Sequence, residues 1–172
     1  MYRFLIALLI AGLSTSAQAH PFHGSGAGLA AGFAHPLNGL DHLLAMLAVG
    51  LWAAQVGGRA RWMVPGAFLA AMAAGGMMGF AALVPPFAEQ MIAASGLVFG
   101  LLIVTRSTLS PWLGAGLASA FALYHGAAHA AELPATAAAL PYAAGFCAAT
   151  ALLLAAGVAA GSLIRQTFRR FI

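Results

Sequence analysis

Two short stretches carry most of the side chains in this sequence that could hold a metal ion. HPLNGLDHLLAM, from His35 to Met46, supplies His35, Asn38, Asp41, His42 and Met46; FALYHGAAHAAELP, from Phe121 to Pro134, supplies His125, His129 and Glu132. Imidazole nitrogen with a few carboxylate oxygens suits nickel, cobalt, zinc, copper or iron(II), and no thiolate cluster is present to select Cu(I). On a helix, Asn38, His42 and Met46 share one stripe at four-residue spacing. His35 lies on the same side two turns away from His42, and Asp41 lies about 100° around from it. His125 and His129 stand one turn apart, a spacing at which two imidazoles can share one ion. His20 and His23, in HPFHG, either capture a cation ahead of these stretches or belong to a polar terminus.

The elements that must position these groups follow from composition. Hydrophobic residues make up 63% of the 172, charged residues 6%, and the mean hydropathy is +0.95. A soluble domain of that balance could not cover its own surface, so lipid must solvate most of the chain. A spanning helix needs about 20 apolar residues, and apolar segments bounded by Pro, Gly or Arg fall at 28–57, 61–84, 87–105, 110–131 and 137–163. The expected fold is an all-α polytopic membrane protein, a bundle of five transmembrane helices forming a single membrane-embedded domain over residues 20–172. The linkers GGRAR, VPPFAE, TRSTLS and ELPAT are short, so consecutive helices should be antiparallel neighbours. Pro36 suits a first helical turn, which leaves the residues before it as a half-helix or an irregular entry loop.

Residues 1–19 read as a cleavable signal peptide: Arg3, an apolar run from Phe4 to Leu13 too short to span, and Ala17-Gln18-Ala19 before a cleavage point. Cleavage would leave His20 at the outer face. Arg59, Arg61, Arg106, Arg165, Arg169 and Arg170 then all fall on the cytoplasmic side, and Glu89 and Glu132 on the outer side, in agreement with the positive-inside rule. The predicted location is a bacterial inner membrane, with the C-terminus in the cytoplasm. The net charge of +4 is carried by arginines with no run longer than two, so it reads as topology and not as a nucleic-acid surface.

A carboxylate within an apolar span costs about 2.5–3.5 kcal/mol at a helix centre and normally has a partner in a polar interior. Asp41 is therefore the most informative single residue. Counting from the outer ends of the first and fourth spans places the His35–His42 and His125–Glu132 segments at comparable depth, where they could face one cavity. Gly75, Gly76, Gly79, Gly114, Gly116, Ala118 and Ser119 are small enough to let helices approach closely, and their abundance leads to the expectation of a homo-oligomer. Met72, Met77 and Met78 read as packing material. The lone Cys147 permits no intramolecular disulfide.

At the level of these motifs the chain resembles the HupE/UreJ family of nickel permeases, whose first mature helix carries an HPxxGxDHxxAM pattern and whose fourth carries an HGxAHxxExP-like pattern. The similarity takes in HPLNGLDHLLAM, HGAAHAAELP, VGLWAAQVGGRARWMVPGAF and PYAAGFCAATALLLAAG. The resemblance implies import of Ni(II), or in some members Co(II), as a transported substrate with no tightly bound cofactor, and an indirect link to the maturation of nickel enzymes. It assigns ion handling to His35, Asp41, His42, His125, His129 and Glu132, with Asn38, Met46, His20 and His23 as weaker candidates. Members often carry a histidine in the fifth helix where this sequence has Leu154, and many continue into a sixth mature helix.

A permease is thus the leading expectation, with a divalent cation and membrane lipid as partners. An alternative of a different class is an intramembrane zinc hydrolase, in which the same His and Asp set would activate water against a lipid bond. Haem ligation by paired histidines is a third. The sequence has no P-loop, nucleophile elbow or dinucleotide fingerprint, so an enzyme or an ATP-driven pump is not the favoured reading.

Overall fold

The helix boundaries follow from local chemistry. Gly39 takes up an extended conformation (φ −92°, ψ 112°) and separates α1 (Leu29–Asn38) from α2 (Leu40–Val56). Gly57 and Gly58, at φ 81° and 53°, supply the left-handed backbone that turns the chain into α3 (Ala60–Phe80). After α4 (Ala88–Val104), Ser110 caps α5 (Pro111–Ala131): its hydroxyl accepts from the Leu113 N–H, and Pro111 sits at the first helical position, where its missing donor costs nothing. The last helix is α6 (Ala139–Arg170). These elements come from a computed structural model that describes residues 28–131, 133 and 138–170, and among those residues there is no strand.

The first apolar segment, expected as one span, is broken. α1 and α2 meet at a bend of 83°. Pro36, inside α1, lacks the N–H that would bond to the Gly32 carbonyl, and Gly39 then leaves helical geometry altogether. Asn38 therefore does not share a stripe with His42 and Met46; it is exposed at the end of α1. α3 and α6 are each long and apolar enough to cross a membrane, and the bent pair α1–α2 would make a third span. α4 is apolar but has only 17 residues. α5 has 21, but its histidines, Ser119, glycines and terminal Pro111 lower its hydropathy.

The links between consecutive helices from α1 to α5 are short, yet the most extensive packing is between helices that are not consecutive: α3 with α5, and α2 with α6. Each pair runs parallel. Ala67 lies by Ser119, Gly75 by Leu123 and Gly79 by Ala127; Gly50 lies by Leu154 and Gly157, and Gly57 by Arg165. A Cβ on Gly75, Gly79 or Gly126 would meet a backbone carbonyl of the facing helix. Close backbone approach of this kind is what holds helices together where lipid removes the hydrophobic drive. A Cβ on Gly76 would reach only the Gly126 carbonyl, at 4.0 Å, and one on Gly116 would meet nothing within 4 Å, whereas Gly126, facing Met72 and Gly76, and Gly50, facing Leu154, make the tight approaches.

The core between the helices is filled by Met46, Trp52, Phe68, Met72, Phe99 and Leu154, all at most 2% exposed. Trp52 also donates its indole N–H to the Ser107 carbonyl at 3.0 Å, tying the end of α2 to the α4–α5 turn. Around this core, large apolar side chains face outward, among them Trp62, Trp112, Leu101, Leu152 and Ile164. That is the arrangement of a membrane protein, with apolar surface where a soluble chain would carry charge. The two ends of the bundle differ. The starts of α2 and α6 and the last turns of α5 lie at one end; Arg59, Arg61, Arg106 and Arg165 lie at the other.

Candidate metal centre

Three separate segments bring imidazoles to one point. α1 crosses the first turns of α6 where Gly32 and Gly145 allow their backbones to touch, and this carries His35 over the end of the bundle. α2 contributes His42 from its first turn, and α5 contributes His129 from its last. One ring nitrogen from each of His35, His42 and His129 lies within 4.8 Å of the others. The ring centroids are 4.4 Å apart for His42–His129, 4.6 Å for His35–His129 and 6.0 Å for His35–His42. Such a separation lets each nitrogen reach a single ion with small side-chain adjustment.

Neighbouring groups fix how each ring points. His42 donates from Nδ1 to Asp41 Oδ1 at 2.8 Å, and its backbone N–H donates to the same oxygen at 2.9 Å. This leaves His42 Nε2 facing His129 Nε2, with which it is in contact. A carboxylate behind an imidazole in this way sets the tautomer and raises ligand basicity. Asp41, with a side chain only 10% exposed, is thus engaged with His42 and is not one of the three converging ligands. A Cβ at Gly39 would lie 3.0 Å from His42 Nδ1 and 3.1 Å from Asp41 Oδ1, so the residue that breaks the helix also leaves room for this pair.

His35 shares a 2.8 Å hydrogen bond between Nδ1 and the Tyr142 hydroxyl. When Nδ1–H is the donor, Nε2 keeps its lone pair for a cation. Tyr142 and Phe146, from the start of α6, wall the site: Phe146 lies 5.7 Å from His35 and 5.2 Å from His129, ring to ring. His125 lies one turn deeper on α5. It is fully buried, donates Nδ1–H to the Phe121 carbonyl at 3.0 Å, and packs 5.3 Å from His42 and 5.6 Å from Phe68. Its Nε2 is buried without a hydrogen-bond partner among the described residues, so an acceptor lone pair is aimed into the interior.

The sequence-derived candidates therefore separate. His35, His42 and His129 converge, with Asp41 behind His42 and His125 below. Met46 is fully buried in the apolar core and Asn38 is exposed on α1. His20, His23, Glu132 and the signal peptide lie outside the described residues. Gly39 and Tyr142 were missed. Both stand in the stretches that carry the resemblance, but a glycine and a tyrosine are not ligand types and gave no spacing signal of their own.

The fold and site together define a helical membrane protein with an imidazole cluster built from the ends of three helices. The HupE / UreJ protein family profile matches residues 7–171, nearly the whole chain. A curated relative, Protein HupE of Rhizobium leguminosarum bv. viciae, is 41% identical over 159 residues, covering 92% of this chain and 83% of its own. The chain belongs to the HupE/UreJ family. No solved structure matches it.

Proposed function

We propose that this protein is a permease that imports a divalent transition-metal ion, Ni(II) above all and Co(II) as the related substrate. The observation that carries this reading is the convergence of His35, His42 and His129 from three chain segments. Neutral imidazoles suit borderline divalent ions, and a cluster without thiolates or a closed carboxylate cage binds them weakly enough to release them. Nickel is favoured among those ions by the family's association with nickel supply.

The mature chain crosses the inner membrane five times, with the imidazole end outside and the arginine end in the cytoplasm. Two groups of charges support that orientation: arginines occupy one end of the bundle, while Asp41 and Glu89 belong to the other. An arriving cation exchanges water for His35, His42 and His129, and Asp41 compensates part of its charge through His42. His125 Nε2, one turn further in, is the next donor it meets. Because only deprotonated imidazole binds, entry of the ion displaces any proton bridging His42 and His129.

The test is accumulation of Ni, Co, Zn and Mn by proteoliposomes containing the protein. Nickel uptake above protein-free vesicles, with cobalt next, is expected; uptake equal to protein-free vesicles for all four would end this reading. C-terminal reporter fusions test the orientation separately, and a reporter active only outside would reverse it.

A further inference from the structure

A second polar site occupies the opposite end of the bundle, and the metal-handling reading makes no use of it. A cavity of about 230 Å³ opens between the end of α2, the α2–α3 turn and α6, lined by Ala54, Gly58, Arg61, Ser162, Arg165 and Gln166. Two arginines, a serine and a glutamine thus line one space. The positive-inside rule accounts for arginines at this end, but it does not account for their sharing a cavity.

Nor do the described residues compensate these charges. The sequence has three carboxylate side chains, Asp41, Glu89 and Glu132; the two in the described residues belong to the imidazole end, and neither Arg61 nor Arg165 forms an ion pair among the described residues. Arg61 Nε is buried with no hydrogen-bond partner among the described residues. Buried guanidinium N–H groups without an acceptor are costly, and a bound anion is the usual remedy. Arg61 also lies in the first turn of α3, at the positive end of the helix dipole.

The backbone is shaped to hold Arg165 in place. Gly57, at φ 81°, lies directly beneath the Arg165 guanidinium, so a side chain there would displace it. Gly58, also at positive φ, forms part of the cavity wall without filling it. Guanidinium forks match the oxygens of phosphate in a bidentate manner, and basic pockets between membrane helices take phosphorylated headgroups. We propose that this cavity binds a phosphate group, held by Arg61 and Arg165 with Ser162 and Gln166 as further donors. The group comes from an anionic phospholipid or from a soluble phosphate.

The full-length protein in nanodiscs tests this without reference to metal. Binding of phosphatidylglycerol is compared with that of phosphatidylcholine by native mass spectrometry, and inorganic phosphate and ATP are titrated against protein in phosphatidylcholine nanodiscs while its thermal midpoint is followed. Selective retention of phosphatidylglycerol by wild-type protein identifies the lipid as the source; a midpoint raised by phosphate or ATP identifies a soluble one. Either preference should weaken about tenfold in Arg61→Gln/Arg165→Gln, and each single variant should show part of that loss. Arg106→Gln, which removes one charge from the same end but outside the cavity, should leave it within about twofold. Wild-type protein that distinguishes neither lipid nor responds to phosphate would overturn the proposal even if the double variant fails to fold. An equal loss in Arg106→Gln and in the single cavity variants would overturn it as well, by reducing the effect to general surface charge.

Discussion

The two ends of this bundle solve opposite problems with the same scaffold of small-residue helix contacts. At one end, imidazole nitrogens from α1, α2 and α5 are gathered, and three of the rings are oriented by an unlike partner: Asp41 behind His42, Tyr142 behind His35, the Phe121 carbonyl behind His125. At the other end, fixed cations stand with no carboxylate among the described residues to answer them. The difference teaches that polar groups here are sorted by what they are meant to meet. Imidazoles such as His35, His42 and His125, whose second nitrogen is already committed, await a cation, and guanidinium groups without a carboxylate partner among the described residues await an anion.

The strongest way to break that contrast is to remove the imidazole that contacts both Asp41 and His129. His42→Ala should reduce nickel affinity by more than about 100-fold, beyond the range that even an outer partner commands, while the protein still inserts and accumulates. Tracer uptake normalised to protein level checks this. Asp41→Asn keeps the shape and an acceptor for His42 but deletes the charge, and should lower affinity by about 10–100-fold. If Asp41→Asn transports normally, the carboxylate has no part in preparing His42.

Smaller effects sharpen the same picture. Tyr142→Phe removes one hydrogen bond of about 0.5–1.5 kcal/mol net and should weaken nickel binding by up to about tenfold, through loss of orientation at His35. Gly39→Ala meets no backbone strain at φ −92°, so any loss must come from crowding of Asp41 and His42. A fall in nickel affinity with unchanged thermal stability is the expected signature. Met72→Leu and Cys147→Ala, outside both ends, should stay within about twofold of wild type, since near-isosteric apolar exchanges cost little.

How legible these features are in the sequence depends on their range. Ligand chemistry is local: Asp41 beside His42 in an apolar stretch marks α2, and His125 and His129 one turn apart mark α5, without reference to the fold. The membrane character is equally direct, because it rests on bulk composition. The break at Gly39 is harder, since a glycine inside an apolar run is ordinary packing material in membrane helices, and only the tertiary seat of α1 across α6 selects the bend. That bend removes Asn38 from the stripe and lets His35 approach from a different element. The parallel pairing of non-consecutive helices is likewise invisible to linker length, being decided by which glycines meet across a seam. Tyr142 joins the site from a distance of 107 residues along the chain, a relation no local pattern encodes.

The central claim is that imidazoles from α1, α2 and α5 together hold the transported ion. X-ray absorption at the nickel edge of protein loaded with one Ni(II) reads it most directly. The scattering should show imidazole nitrogens as the principal protein ligands, and the imidazole contribution should fall in His35→Ala and in His129→Ala, each measured on folded protein. A nickel environment made of oxygen donors alone, or an imidazole signal unchanged in both variants, would contradict the account.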